Sequence, residues 1–186
     1  MATTKVDVKL IDASSIGDAK YLKGDGTWET PTGGLFSGYA IFEDQKTSGT
    51  DGGTFTNGAW RTRDLNTTIA NTDTTNIVLG TNQFTLKAPG SYLVKWYATA
   101  NQVNEHISTL YDVTGVAYID YGSSEDTQPT ITVTTKSIGA TRVTPSGDNV
   151  YEIRHRSNSP QTDIGFGRAT SNSVESYCLV EIYKES

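Results

Sequence analysis

Few side chains in this sequence are of types that perform chemistry. It contains two histidines, His106 and His155, and a single cysteine, Cys178. A metal site would need further His, Cys or carboxylate ligands at suitable spacing, and none stands out. We therefore interpret both histidines as structural or surface residues. Cys178 lies in an apolar segment, where a free cysteine acts as a small hydrophobic residue, and one cysteine cannot form an intrachain disulfide.

Two groups of neighbouring carboxylates are the other candidates for chemistry. Glu43 and Asp44 precede a glycine-rich loop that contains Asp51, and Glu125 and Asp126 lie in a predicted polar, acidic loop, residues 122–129. Such groups can bind Ca²⁺, but the EF-hand spacing is absent, so we favour solvated surface groups. Carboxylates that meet only in space can also hydrolyse glycosides, which keeps a glycan-degrading enzyme as a remote alternative. The motifs GxSxG, HExxH, GxxxxGKS/T and GxGxxG do not occur.

The composition predicts short strands and turns, with no convincing helix. Of the 186 residues, 35% are hydrophobic, 19% are charged and 18 are glycine. The net charge of −6 comes without a Lys/Arg cluster, which argues against a nucleic-acid partner. No apolar run approaches the roughly 20 residues of a membrane span, and we see no signal-peptide pattern. We expect no cofactor and no membrane insertion.

The stretch from Gln83 to Ala100 gives the strongest strand pattern. It predicts a short strand at Phe84–Leu86, a turn in which Gly90 takes a positive φ, and a long strand from Ser91. The long strand is apolar on both faces, which is typical of a central strand. The residues predicted for the core, here and in the last strand, are Phe84, Tyr92, Val94, Trp96, Val180 and Ile182.

About ten such strands predict an antiparallel sandwich or barrel. Residues 164–169 are included as a strand, and residues 66–76 are interpreted as a polar loop. Within this pattern Trp60 is interpreted as core, like Trp96. Exposed aromatic residues at loop ends, such as Tyr111 or Tyr121, are the better candidates for stacking on a carbohydrate.

Residues 1–34 differ from the rest and form a predicted N-terminal arm. Asp25-Gly26 between β-prone residues predicts a hairpin, and the arm is too small to build its own core. It must therefore dock on its own domain, on a sister subunit or on a larger assembly. The residues predicted to anchor it are Tyr21, Leu22 and Trp28. Residues 35–186 form the predicted domain.

The last strand is apolar on both faces. Cys178, Val180 and Ile182 can fill the interior, while Tyr177, Leu179 and Tyr183 on the other face need a cover. We favour a neighbouring subunit as that cover, and a loop folded over the sheet is the alternative.

The residues from Phe84 to Trp96 resemble the aromatic core motif of the C1q/TNF-like jelly roll. In that family a Phe is followed after five residues by Gly-x-Tyr-x-Phe-x-Phe/Tyr. Gly90 and Tyr92 match, Val94 stands where Phe is usual, and Trp96 where Phe or Tyr is usual. Further segments resemble C1q-like domains of aquatic phages, in consistent order; they are GGTFTNGAWRTRDLNT (52–67), LYDVTG and YGSSE (110–125), YEIRHRSN (151–158), and GFGRAT and YCLVEIYKE (165–185).

The arm also resembles a phage segment. Residues 21–31, YLKGDGTWETP, are similar to the YLRGDGTW segment of phage fibres and other virion appendages. The two resemblances imply a ten-stranded jelly roll that packs as a tight homotrimer, with the last strand near the threefold axis. They also imply a non-enzymatic virion protein, assembled in the host bacterial cytoplasm and attached to capsid or tail proteins through residues 1–34.

Two virion roles stay open at this point. The first is a short fibre or receptor-binding tip that meets a glycan or protein of the host surface. The second is a capsid decoration (cement) or head-fibre protein that stabilises the capsid, which the short chain without a long stalk favours.

Overall fold

The structure is a computed structural model that describes residues 20–29 and 34–186. The chain divides into two compact units, the first ending at Gly34 and the second spanning Leu35–Ser186. In the described ranges the regular secondary structure is entirely β, with no helix.

The first unit contains a two-stranded antiparallel hairpin. Its strands are β1 (Tyr21–Leu22) and β2 (Trp28–Glu29). The carboxylate of Asp25 closes the turn, because it accepts hydrogen bonds from the backbone nitrogen and the hydroxyl of Thr27 at 2.9 and 2.7 Å. Gly26 has a φ of 84°, a conformation that glycine adopts at little cost. The Asp-Gly pair thus forms the predicted turn.

The second unit consists of twelve strands in two antiparallel sheets. The five-stranded sheet has the order β12-β8-β14-β3-β5. The seven-stranded sheet has the order β10-β9-β13-β7-β6, with β11 also paired to β9 and β4 also paired to β13. The strands are β3 (Phe36–Lys46), β4 (Arg61–Thr62), β5 (Thr67–Asn71), β6 (Ile77–Leu79), β7 (Phe84–Leu86), β8 (Tyr92–Asn101), β9 (Asn104–Asp112), β10 (Ala117–Tyr121), β11 (Glu125–Thr127), β12 (Thr134–Val143), β13 (Asn149–Ser157) and β14 (Glu175–Glu185).

One continuous hydrophobic core lies between the two sheets. It contains all six side chains that the sequence places in the interior, from β7, β8 and β14. Trp96 also links the sheets, because its indole nitrogen donates a hydrogen bond to the hydroxyl of Ser108 on β9 at 2.9 Å. Its cross-strand neighbour is Gly139, where a Cβ atom would lie 2.0 Å from the indole. The glycine therefore leaves the space that the tryptophan fills.

Three segments differ from the predicted pattern. The loop expected at residues 122–129 contains β11, which pairs with β9. Residues 164–169 form turns and irregular backbone, and the strand prediction there is wrong. The φ angles of 59° at Asp163 and 142° at Gly167 are incompatible with an extended strand. Residues 66–76 were expected to be a loop, yet they contain β5, which pairs with β3 at the sheet edge. A polar strand forms there because backbone hydrogen bonds, rather than buried side chains, hold it.

The turn between β7 and β8 lies where the sequence predicts it, but its backbone conformation differs from the expected one. The Ala88–Pro89 peptide bond is cis, and Gly90 does not take a positive φ. Because β7 and β8 belong to different sheets, this turn carries the chain from one layer of the sandwich to the other.

Candidate subunit interface

The five-stranded sheet exposes an apolar face on the side away from the core. Strand pairing places Leu179 of β14 between Tyr97 of β8 and Glu43 of β3, and Tyr97 in turn pairs with Ile138 of β12. Ile138 is 60% exposed, although it lies on a regular strand. We define the outer apolar face as Tyr39, Ile41, Leu93, Tyr97, Ile138, Ala140, Leu179 and Tyr183. A contiguous exposed apolar surface of this kind is a candidate interaction site.

A charged pair lies at the centre of the outer apolar face. The Lys95 ammonium lies 2.9 Å from a carboxylate oxygen of Glu181, and this hydrogen bond raises the pKa of Lys95. The two charges compensate each other, so the pair presents little net charge to a partner surface. Both residues border a groove of about 300 Å³ whose other walls include Tyr97, Ile138 and Leu179. The outer apolar face therefore has a groove into which side chains of a partner could fit.

The last strand contributes two of the three residues predicted for the subunit interface to this face. Leu179 and Tyr183 are each half-buried, and the ring of Tyr183 packs against Phe36 with ring centroids 5.1 Å apart. Their cover by another chain stays a prediction. For the arm, the structure describes only the backbone of Tyr21, Leu22 and Trp28, so their side chains lie outside the described part and their anchoring role also stays a prediction.

Tyr177 has to be corrected, because its own chain covers it. Its side chain is only 3% exposed, and its hydroxyl donates a hydrogen bond to the carbonyl oxygen of Thr50 at 2.8 Å. A Cβ atom at Gly167 would lie 2.1 Å from the tyrosine ring, so the backbone of that loop lies directly on the ring. For Tyr177 the alternative interpretation is therefore correct: a loop of the same chain, and not a neighbouring subunit, covers the side chain.

Two irregular segments form that cover by pairing with each other. Residues 52–55 and 161–167 exchange backbone hydrogen bonds, including those between Gly52 and Gly167 at 2.9 Å and between Phe166 and Gly53 at 3.0 Å. They enclose a second, small hydrophobic core that contains Phe55, Ala100, Val103 and Phe166. We call these paired segments the loop clasp.

Arg63 fastens the loop clasp to the five-stranded sheet. Its buried guanidinium donates hydrogen bonds to the carbonyl oxygens of Thr99 on β8 at 3.1 Å, Tyr177 on β14 at 2.9 Å and Phe166 at 3.2 Å. Burial lowers the pKa of Arg63. The sequence gives no sign of this role, because a buried arginine that binds backbone carbonyl oxygens needs no partner side chain that a sequence pattern could reveal.

The two histidines form a buried pair. His106 Nδ1 lies 2.9 Å from His155 Nε2, and His106 Nε2 lies 2.7 Å from the hydroxyl of Thr135. Burial lowers the pKa of His106 to about 4 and that of His155 well below its usual value, and the positive charge of Arg63 acts in the same direction. Both rings are therefore neutral at pH 7. This agrees with the interpretation of structural histidines.

Cys178 is also a core residue. It is fully buried, and burial raises the pKa of its thiol to about 12. The reactive thiolate is therefore not populated at neutral pH.

The carboxylate groups of the first cluster are engaged in separate contacts. Asp44 is buried and pairs with Lys46 at 3.0 Å, and Lys46 also reaches Asp64 at 2.6 Å. Asp51 accepts a hydrogen bond from the backbone nitrogen of Ala169 at 2.8 Å.

Across residues 20–29 and 34–186, no three His, Cys, Asp or Glu side chains lie close enough together to hold a metal ion. The same residues include no helix of the length and apolarity that crossing a membrane requires.

An aromatic cluster lies on the outer side of the seven-stranded sheet. Trp60, expected in the core, is instead half-buried and contacts Tyr118 and Tyr121, with ring centroids 5.4 and 6.0 Å apart. Tyr121 is 51% exposed, as expected, whereas Tyr111 is only 7% exposed because Tyr118 and Arg154 cover it. Tyr121 is therefore exposed enough for a sugar ring to stack on it, whereas Tyr111 is not.

Several solved structures share this architecture. Eiger TNF from S. frugiperda matches with a TM-score of 0.53 and 12% identity over 80% of this chain and 92% of its own. The PRD1 vertex protein P5 matches at 0.51 with 13% identity, over 82% of this chain and all of its own, and murine APRIL at 0.51 with 4% identity, over 78% and 98%. This chain has the C1q/TNF-like jelly-roll fold. The fold prediction is confirmed, with twelve strands in place of ten.

At these identities the likeness concerns the fold of the jelly roll and not its partners. No protein-family model matches the sequence, and the comparison with curated proteins gives no significant match. The jelly-roll fold therefore determines where the surfaces lie, and the residues on those surfaces determine what they bind.

Proposed function

We propose that this chain is a non-enzymatic structural protein of a phage particle. It acts as a homotrimer that residues 1–34 attach to other virion proteins, and its jelly roll projects as a short fibre or receptor-binding tip. The observation that carries the proposal is the outer apolar face of the five-stranded sheet, where Ile138 and Tyr39 are 60% and 41% exposed. The resemblance of the sequence to C1q/TNF-like trimers implies that two further copies of the chain cover this face.

Three further observations support the virion assignment. The segments that resemble phage C1q-like domains lie along the jelly roll, and residues 21–31 resemble a segment of virion appendages. Among the structures of the same fold is the PRD1 vertex protein P5. The chemistry of the described residues supports a role without catalysis, since the histidines and Cys178 serve the core.

Capsid decoration is the second candidate. It is favoured by the short connection between the hairpin and the jelly roll, because residues 30–33 are too few to form a fibre stalk. In this role the trimer would clamp neighbouring capsid subunits and stabilise the head.

Labelling the protein on intact particles tests the proposal and separates its two forms. A fibre or tip should appear at the tail or vertices in tens of copies, and soluble trimer should block adsorption. A decoration protein should cover the head in hundreds of copies, and its deletion should weaken the particle while adsorption continues. Purified particles that lack the protein altogether would overturn the proposal.

A further inference from the structure

We propose that the aromatic cluster on the seven-stranded sheet, with the groove beside it, binds an oligosaccharide. The inference rests on the receptor-binding form of the proposed function and adds to it a site and a ligand class. We define the platform as Trp60, Tyr118 and Tyr121, and the groove as the cavity of about 290 Å³ that borders Trp60.

The three rings of the platform contact one another at the surface. Tyr118 and Tyr121 stack with an interplanar angle of 17° and centroids 6.0 Å apart, and Trp60 is tilted against them by 45° and 40°. Tyr118 is 43% exposed and Tyr121 is 51% exposed. Covering such half-exposed aromatic rings with the apolar C–H face of a pyranose ring lowers the free energy, because it removes apolar surface from water.

The platform is supported from below. The ring of Tyr111 meets that of Tyr118 edge-on, with centroids 5.0 Å apart, and the guanidinium of Arg154 lies 3.3 Å from the centroid of the Tyr111 ring. Arg154 is itself held by an ion pair with Glu152. Both charged residues lie on β13, the central strand of the seven-stranded sheet. The orientation of the rings is therefore set by a rigid element, as a binding site requires.

The groove beside Trp60 contains planar polar groups suited to sugar hydroxyls. Its walls include Glu105, Ser124, Arg156 and Asn158. The Asn158 amide donates a hydrogen bond to the Glu105 carboxylate at 3.0 Å, and the pKa of Glu105 is lowered by a backbone hydrogen bond and by this one. The guanidinium of Arg156 has neither a hydrogen-bond nor an ion-pair partner in the described part of the chain. A carboxylate, an amide and a free guanidinium provide paired donors and acceptors for vicinal hydroxyl groups.

The size of the surface favours a glycan over a protein partner. From ring areas of about 150–250 Å² each, the platform exposes on the order of 300 Å² of aromatic surface. A stable protein interface buries about 800 Å² on each partner. The groove is near the lower limit of roughly 300 Å³ for ligand pockets, which suits a short carbohydrate segment. Weak single sites of this kind become effective when three or more act together on one particle.

The test uses the full chain, labelled with ¹⁵N, and a panel of named probes: maltohexaose, cellohexaose, chitohexaose and dextran. The indole N–H signal of Trp60, assigned through its loss in Trp60→Phe, should shift on titration with at least one of these probes. Trp60→Ala and Tyr121→Ala should each weaken that binding at least tenfold. The matched control is Val174→Ala, another exposed apolar side chain outside the platform, which should bind like the parent chain.

Three results would overturn the inference. The first is a Trp60 signal that none of the four probes shifts at millimolar concentration. The second is binding that persists unchanged in both platform variants, which would locate the sugar elsewhere. The third is binding to bacterial cells that survives periodate oxidation and is lost after protease treatment, which would identify a protein ligand. Particle labelling and trimer mass are measured separately, so failure here leaves the virion role untouched.

Discussion

The buried histidine pair shows how single residues couple the fold to pH. Only one assignment of the ring protons gives every N–H group of the pair a hydrogen-bond acceptor. In it, His155 Nε2 donates to His106 Nδ1, and His106 Nε2 donates to the hydroxyl oxygen of Thr135. Each ring then carries one proton and is neutral, with the Nδ1 atom of His155 as a bare acceptor that has no partner among the described residues. A second proton on either ring would place a charge beside the buried cation of Arg63.

We expect the free energy of unfolding to decrease as the pH falls from about 6.5 towards 4. In this window the unfolded histidines, with a pKa of about 6.5, bind protons that the folded ones do not, so acid favours the unfolded state. Each histidine contributes up to about 1.4 kcal/mol per pH unit. Urea unfolding at several pH values measures the slope. In the double variant His106→Leu, His155→Phe the slope should be clearly smaller; an unchanged slope would show that carboxylates alone are responsible.

Arg63 is the second residue whose role is set by burial. Replacement of Arg63 by Met should lower the free energy of unfolding by roughly 3–5 kcal/mol, because three buried carbonyl oxygens each lose a charged donor at about 1–3 kcal/mol. Chemical unfolding measures the loss. Arg63→Lys should lose less, since its ammonium can still reach part of the carbonyl set. A Met variant as stable as the parent would contradict the view that Arg63 fastens the loop clasp.

Among the elements, the β9–β10 hairpin has an unusual residue at the end of its turn. Val116 has a φ of 51° and is 76% exposed. The left-handed region is unfavourable for a β-branched side chain, and the exposed side chain gains little burial in return. The hairpin therefore holds a strained residue next to the strand that carries Tyr118 and Tyr121.

Replacing Val116 by Asn or Gly should stabilise the protein by about 1 kcal/mol, because the new residue tolerates the positive φ. Thermal unfolding should show a higher Tm. Val113→Gly is the matched control in the same turn, and it should lower the Tm because residue 113 has no positive φ to relieve. If both variants shift the Tm in the same direction, backbone strain at Val116 is not the cause.

At the scale of the whole molecule, the two faces of β14 explain why the jelly roll should not remain alone. The inner face completes the core, and the loop clasp covers Tyr177 at one end of the outer face. Leu179 and Tyr183, further along the strand, have no such cover from residues 52–55 and 161–167. The outer apolar face that contains them is the surface that a second copy would bury.

A trimer is expected to have a mass three times that of the 20.1 kDa chain. Leu179→Asp places a charge at the centre of the outer apolar face and should give a monomer or insoluble protein, because burying an unpaired charge is costly. Light scattering with size exclusion measures the mass. Val78→Asp makes the same change on the other sheet, on β6, and should leave the trimer intact. A normal trimer of the Leu179 variant would refute this interface.

The sequence by itself determined the all-β class, the turn at Asp25-Gly26 and the burial of six side chains on β7, β8 and β14. Period-two alternation and the spacing from Phe84 to Trp96 are local properties, so they can be read without knowing which strands pair. The tertiary structure alone decided that Tyr177 is covered, that Trp60 reaches the surface, and that Arg63 and the histidines are buried. Each of these depends on contacts between segments distant in the chain, and local periodicity contains no information on which loop lies over which strand.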